Sequence, residues 1–156
     1  MAVYYIVSGG FDPIHEGHIE NILESKNNSD GVIALVNSDE WLCRKKGKNF
    51  MNFHTRSTVV GAIKGVIDVI SFDDSDNSAC DGLRKARAKY PNDTLVFAKG
   101  GDRTADNIPE IPVCKELNIE IKYNVGTKIS GKQKPNSSSW ILKNWDERNS
   151  KDSKKV

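Results

Sequence analysis

The chain opens on a strand-length apolar run, Val3-Tyr4-Tyr5-Ile6-Val7, which breaks at Ser8-Gly9-Gly10 and gives way to a helical repeat at Ile19, Ile22 and Leu23. Branched and aromatic residues suit pleated structure, whereas apolar residues three and four apart share one face of a helix. The alternation then recurs. Val32 to Val36, Val66 to Phe72, Leu95 to Ala98 and Ile119 to Tyr123 read as strands, while Val59, Val60 and Ile63, then Leu83, Ala86 and Tyr90, mark helix faces. Strands alternating with helices imply parallel pairing through right-handed crossovers. The expected fold is α/β: a Rossmann-like three-layer αβα arrangement around a parallel sheet of about five strands, with ligands gathered beyond the carboxyl ends of the strands.

A chain of 156 residues accommodates one domain of this kind, expected over residues 1–146, with a polar, flexible tail over 147–156. A last helix is expected from Ser137 through Trp145, after the breaker Pro135-Asn136, and the loop from Gly126 to Asn136 is the longest without periodicity. No run approaches the roughly 18 apolar residues of a membrane span. No secretory signal follows Met1, so a cytoplasmic location is expected. Cys43, Cys80 and Cys114 are odd in number and contain no C-x-x-C pair, which points to reduced structural thiols. A net charge of +2 lacks the excess of a domain that lives on nucleic acid, although Lys128 to Lys134 and the Lys-rich tail form local basic clusters.

The chemistry concentrates between the first strand and the first helix, in Gly9-Gly10-Phe11-Asp12-Pro13-Ile14-His15-Glu16-Gly17-His18. Gly9 and Gly10 allow close approach of backbone to a phosphate, Gly17 leaves the site unobstructed, and a helix N-terminus offers free N–H groups to an anion. His15 and His18 beside that anion can donate hydrogen bonds to an α-phosphate and to the bridging oxygen that becomes pyrophosphate. The competing reading is a helix-capping pair or half of a metal site. Asp12 either orients the histidines, assists a metal through water or caps a turn.

This segment resembles the nucleotidylyltransferase superfamily of the cytidylyltransferase type, whose signature is G-x-F-D-x-x-H-x-G-H after the first strand. The resemblance continues through Val36-Asn37-Ser38-Asp39, Lys45 in a basic loop, Arg56 opening a helix and Lys99-Gly100-Gly101-Asp102. It implies His15, His18 and Lys45 as catalytic residues, and Gly9, Gly10, Phe11, Asp12, Gly17, Gly100 and Asp102 as nucleotide-binding. Asp39, Lys46 and Lys64 are implied on the substrate side. The family's last motif, R-T-E-G-x-S-T-T, has Pro135-Asn136-Ser137-Ser138-Ser139 as its counterpart, so Ser137, Ser138 and Ser139 would hold the outer phosphates; Lys128, Lys132 and Lys134 compete for the place of its arginine. The same resemblance implies magnesium, with no metal ligands identified, and a homodimer.

The expected activity is transfer of a nucleoside monophosphate from an NTP to a small phosphorylated acceptor, releasing pyrophosphate. Val36 to Asp39 and Lys99 to Asp102 look most like the adenylyltransferase part of ADP-heptose synthases, giving ATP and a sugar phosphate as the leading pair. The first motif suits glycerol-phosphate cytidylyltransferases equally, giving CTP and an alditol or amino-alcohol phosphate as the alternative. A non-catalytic nucleotide sensor and a nucleic-acid binder are the readings of other classes.

Overall fold

A computed structural model of the chain describes residues 1–99 and 109–123. The strands are β1 (Val3–Gly9), β2 (Gly31–Val36), β3 (Val66–Ser71), β4 (Thr94–Ala98) and β5 (Glu120–Lys122). The helices are α1 (Glu16–Asn27), α2 (Asp39–Lys46), α3 (Phe53–Gly61), α4 (Cys80–Lys89) and α5 (Glu110–Glu116). All strand pairs are parallel, in the order β3-β2-β1-β4-β5. This is the Rossmann-like α/β fold expected from the sequence. Strand order reverses between β1 and β4, so the crevice beyond their carboxyl ends opens where β1 runs into the Gly9–His18 segment.

The central strand β2 has all six residues buried, as a strand covered on both faces must. One face packs Ile6, Ile33, Leu35, Leu95 and Phe97 with Leu83 and Ala86 of α4 and Val113 and Cys114 of α5. The other packs Tyr5, Val7, Val32, Ala34, Val36 and Val96 with Ile22 of α1 and Val60 of α3. The helix faces differ from expectation in two places: Leu23 and Val59 stay exposed at 37% and 38%, because the stripe that meets the sheet is narrow and centres on Ile22 and Val60. Two helices are absent from the sequence reading, α2 and α5. Lys45 was expected in a basic loop, yet Ser38 caps a helix over Asp39–Lys46, its side chain accepting from the Trp41 N–H, and Gly47 closes it at φ 84°.

Two glycines are required by packing. A Cβ on Gly82 of α4 would lie 2.8 Å from Leu35 Cδ1 and 3.1 Å from Phe72 Cγ, and one on Gly10 would lie 2.7 Å from Leu42 Cδ2. Both contacts are with well-packed side chains, so α4 and α2 reach their positions only over a missing side chain.

Gly82→Ala tests this in the sheet layer. Overpacking costs about 1–3 kcal/mol and the gain in helix propensity returns up to ~1 kcal/mol. The expected outcome is a lower urea midpoint with an unchanged slope.

Candidate active site

His15 is the N-cap of α1, with extended backbone at φ −145° and ψ 178°. Its Nδ1 accepts the Gly17 N–H at 3.0 Å, and the His15 N–H donates to His18 Nδ1 at 3.1 Å. The two histidines thus form a reciprocal capping box, a role usually filled by hydroxyl and carboxylate side chains. Capping and ligand binding are compatible here because they use different atoms. An Nδ1 that accepts an N–H carries no proton of its own, so each neutral ring bears its proton on Nε2. The rings lie nearly parallel, 3.9 Å between centroids at 30°, and Phe11 supports His18 from a centroid distance of 4.9 Å. Phe11 is buried at φ 53°, a conformation that costs a non-glycine residue on the order of 1 kcal/mol and that burial of its ring sustains.

Burial, the neighbouring His15 and the Lys46 ammonium push the His18 pKa down to about 3. His15 is lowered by burial and Lys46, with Glu16 opposing. Both rings therefore enter neutral solution uncharged, as paired N–H donors.

The basic residues of α2 divide into distinct roles. Lys45 is exposed and lies over the Trp41 ring at 4.6 Å. Lys46 is half-buried, with its Nζ 3.4 Å from the Asp12 carbonyl and close enough to lower both histidine pKa values. Its own pKa is lowered by burial and by Lys45, with Asp12 opposing. Successive helical residues point about 100° apart, so only one of the pair can face the histidines. The structure brings Lys46 there.

Asp12 is fully buried, and its carboxylate accepts the Phe50 N–H at 2.6 Å and the Met51 N–H at 2.7 Å. It ties the histidine segment to the connection between α2 and α3, with both carboxylate oxygens engaged by backbone N–H groups. Gly10 likewise serves α2 packing, and the space at Gly9 faces the Phe11 ring at 3.6 Å. Asp39 is ion-paired with Arg56 at 2.6 Å. Lys64 is exposed in the turn that enters β3, at the amino end of a parallel strand, so the sheet separates it from the histidines. Gly100, Asp102, Ser137, Ser138, Ser139 and the polar tail lie outside the described residues.

Arg56 carries a role that the sequence reading did not assign. It is fully buried and donates to the carbonyls of Gly10 at 2.9 Å, Asn37 at 2.7 Å and Met51 at 3.0 Å, as well as to Asp39. The signal was present: Arg56 lies four residues before Val60 on the buried stripe of α3, where a solvated arginine does not belong. Asp74 braces the neighbouring turn, accepting from Asn37 Nδ2, the Ser38 N–H and the Ser38 hydroxyl.

Among the described residues no three His, Cys, Asp or Glu side chains gather as a metal ligand set, and no helix is long and apolar enough to cross a membrane. The cysteines are free thiols, Cys43 exposed and Cys80 and Cys114 buried.

The family model described as Cytidylyltransferase-like matches residues 6–144. The bifunctional protein HldE of Nitrosococcus oceani is 32% identical over 105 residues, 66% of this chain and 20% of that protein. The chain thus spans about a fifth of the length of the curated relatives it matches. Two solved structures share the fold. The lipopolysaccharide core biosynthesis protein of Thermoplasma volcanium superposes with TM-score 0.57 at 23% identity, covering 80% of this chain and 95% of that one. A bifunctional NMN adenylyltransferase/ADP ribose pyrophosphatase from Francisella tularensis, complexed with AMP and a manganese ion, superposes with TM-score 0.62 at 17% identity, covering 92% and 41%.

The depressed histidine pKa predicts acid sensitivity. Unfolded His18 takes up a proton below its ordinary 6.5, folded His18 only near 3. The unfolded state therefore binds more protons in that window, and stability falls as pH falls through it. In His18→Asn, urea midpoints measured between pH 7 and pH 4 are expected to decline less steeply than in the parent; parallel declines would refute the assignment.

Proposed function

Because the chain belongs to the cytidylyltransferase-like family of nucleotidyltransferases, we propose that it transfers AMP from ATP to a phosphorylated sugar of the heptose-phosphate kind, releasing pyrophosphate. The observation that carries the reaction type is the histidine pair whose Nδ1 atoms are engaged by backbone, which leaves two Nε2–H donors beside Lys46 at a helix N-terminus. The match to HldE and the Val36-Asn37-Ser38-Asp39 segment support the adenylyl and sugar-phosphate assignment.

In this reading an acceptor phosphate oxygen attacks the α-phosphorus, the bond to the bridging oxygen breaks, and pyrophosphate leaves with the electron pair. The acceptor oxygen is already ionised near neutral pH, so it requires positioning more than a base. Neutral histidines suit this task. Their Nε2–H groups donate to the α-phosphate and bridging oxygens as charge builds there, and the Lys46 ammonium supplies the positive charge that the rings lack. Lys46 takes the role that the family resemblance gave to Lys45.

A magnesium ion would neutralise the triphosphate. The described residues do not offer it a ligand set, and Asp12 engages both carboxylate oxygens with backbone N–H groups. The ion would be held by the nucleotide's own phosphates.

Pyrophosphate release should be measured with magnesium, each common NTP, and sugar, alditol and amino-alcohol phosphates. Release that needs ATP together with one sugar phosphate is the expected result. Release with CTP and an alditol phosphate would move the assignment to a cytidylyltransferase, and nucleotide binding without any release would favour a sensor. With the active pair in hand, His15→Ala, His18→Ala and Lys46→Ala are each expected to lower kcat by about 10²-fold or more, and Lys45→Ala by less than about threefold. The reverse order for the lysines would return the role to Lys45.

A further inference from the structure

The amino edge of the sheet, opposite the histidines, is built from two helix-to-strand turns. One leads from α4 into β4 and the other from α5 into β5, a parallel neighbour. Arg87, half-buried in the last turn of α4, holds both. Its Nε donates to the Leu117 carbonyl at 3.0 Å and its Nη2 to that of Asn118 at 3.1 Å, while Nη1 donates to the carbonyls of Tyr90 at 3.1 Å and Asp93 at 2.8 Å. A side chain bonded to both turns fixes their separation, and beside it lies a cavity of about 720 Å³. Pockets that take small ligands measure about 300–1,000 Å³.

The cavity joins an apolar floor to a positive charge. Leu95, Cys114 and Ile119 line it as buried side chains. Cys114 adds no charge at neutral pH, since burial pushes its thiol pKa up to about 11. A guanidinium carries five N–H groups. Arg87 places four of them on carbonyls, and among the described residues the fifth, on Nη2, has no acceptor. Arg87 also takes part in none of the ion pairs of the described residues. Lys115 lines the same cavity from an exposed position and adds a second cation. The carboxylates of the lining face other groups: Asp93 accepts the Ala2 N–H at 3.1 Å, and Glu120 lies in the field of Lys122. Carbonyls satisfy hydrogen bonds without cancelling a unit charge, so the remaining N–H and the ammonium call for an anion.

We infer that this cavity binds a small carboxylate with an apolar body, at a site separate from the histidines. One guanidinium N–H and one ammonium suit the two oxygens of a carboxylate, and the buried floor suits a hydrocarbon chain. β4 begins at the cavity, whereas the histidine segment follows the far end of β1, the parallel neighbour of β4, so the two sites lie at opposite edges of the sheet. The site requires no transferase activity.

Hexanoate, acetate and hexanol are titrated into the isotope-labelled chain, with backbone amide resonances as the readout. Hexanoate should shift the amides of Leu95, Leu117, Asn118 and Ile119 and leave those of His15 to His18 in place. It should bind at least about tenfold more tightly than acetate, which lacks the apolar body, and about fivefold more tightly than hexanol, which lacks the charge. Lys115→Ala, at an exposed position, should weaken hexanoate about fivefold with an unchanged urea midpoint. Arg87→Lys should weaken it as well and lower the midpoint, because an ammonium cannot span both turns; if that variant does not fold, Lys115→Ala decides alone. Lys46→Ala, on the histidine side, should leave the hexanoate Kd within about twofold. No saturation by about 10 mM hexanoate, equal binding of hexanoate and hexanol, an unchanged Kd in Lys115→Ala, or shifts centred on the histidine segment would each overturn the inference.

Discussion

The Arg56 guanidinium is the contact on which the site's geometry depends. A fully buried arginine survives only if its donors are met, and Arg56 meets them with the carbonyls of Gly10, Asn37 and Met51 and the carboxylate of Asp39. Those carbonyls belong to the turn leaving β1, the turn leaving β2 and the connection entering α3. Three chain segments with no ladder to hold them therefore converge on one planar cation. Its directional donors fix where each segment runs, a constraint that an ammonium at the same point would impose less tightly.

Asp12 is the complementary anion. It accepts two backbone N–H groups from the connection that Arg56 reaches through the Met51 carbonyl, so the same loop is held by a buried cation on its acceptor and a buried anion on its donors. With that loop fixed, α2 ends where Lys46 can lie between Asp12 and the histidines. The lowered pKa values follow from the same crowding. Burial penalises the imidazolium and the ammonium alike, and each positive charge opposes the next. The free protein keeps the lysine as its cation and the rings as neutral donors, an arrangement ready for the negative charge of a triphosphate.

The fold was legible in the sequence because its strands are short apolar runs with clear breaks, and each falls within a residue or two of the observed element. The helices were less so. α2 carries Asp39, Glu40, Arg44, Lys45 and Lys46 around a single buried leucine, so it has almost no apolar period to detect, and its existence depends on the Ser38 cap and Gly47 stop. Leu23 and Val59 fit a helical stripe in sequence and miss the sheet in space, since a run of apolar spacings gives a face without its width. The histidine segment was legible as a candidate site because its residues are adjacent in the chain. Arg56, Asp12 and Lys46 were not legible in their roles, because each acts on backbone or charge brought near by the fold.

The exchange between Lys45 and Lys46 shows where motif reading ends. A motif states that a basic residue follows the second strand; a one-residue displacement on a helix turns a side chain by about 100°. Lys45 lies over Trp41 on the exposed side, and Lys46 lies against Asp12 on the other. The phase is set by where α2 begins, which is fixed by the Ser38 hydroxyl bound to Asp74 and to the Trp41 N–H. Asp74 is buried beyond the end of β3, so the lysine that meets the histidines is chosen by a carboxylate 28 residues further along the chain. Sequence proximity made the basic cluster visible, and tertiary contact decided which member of it faces the histidines.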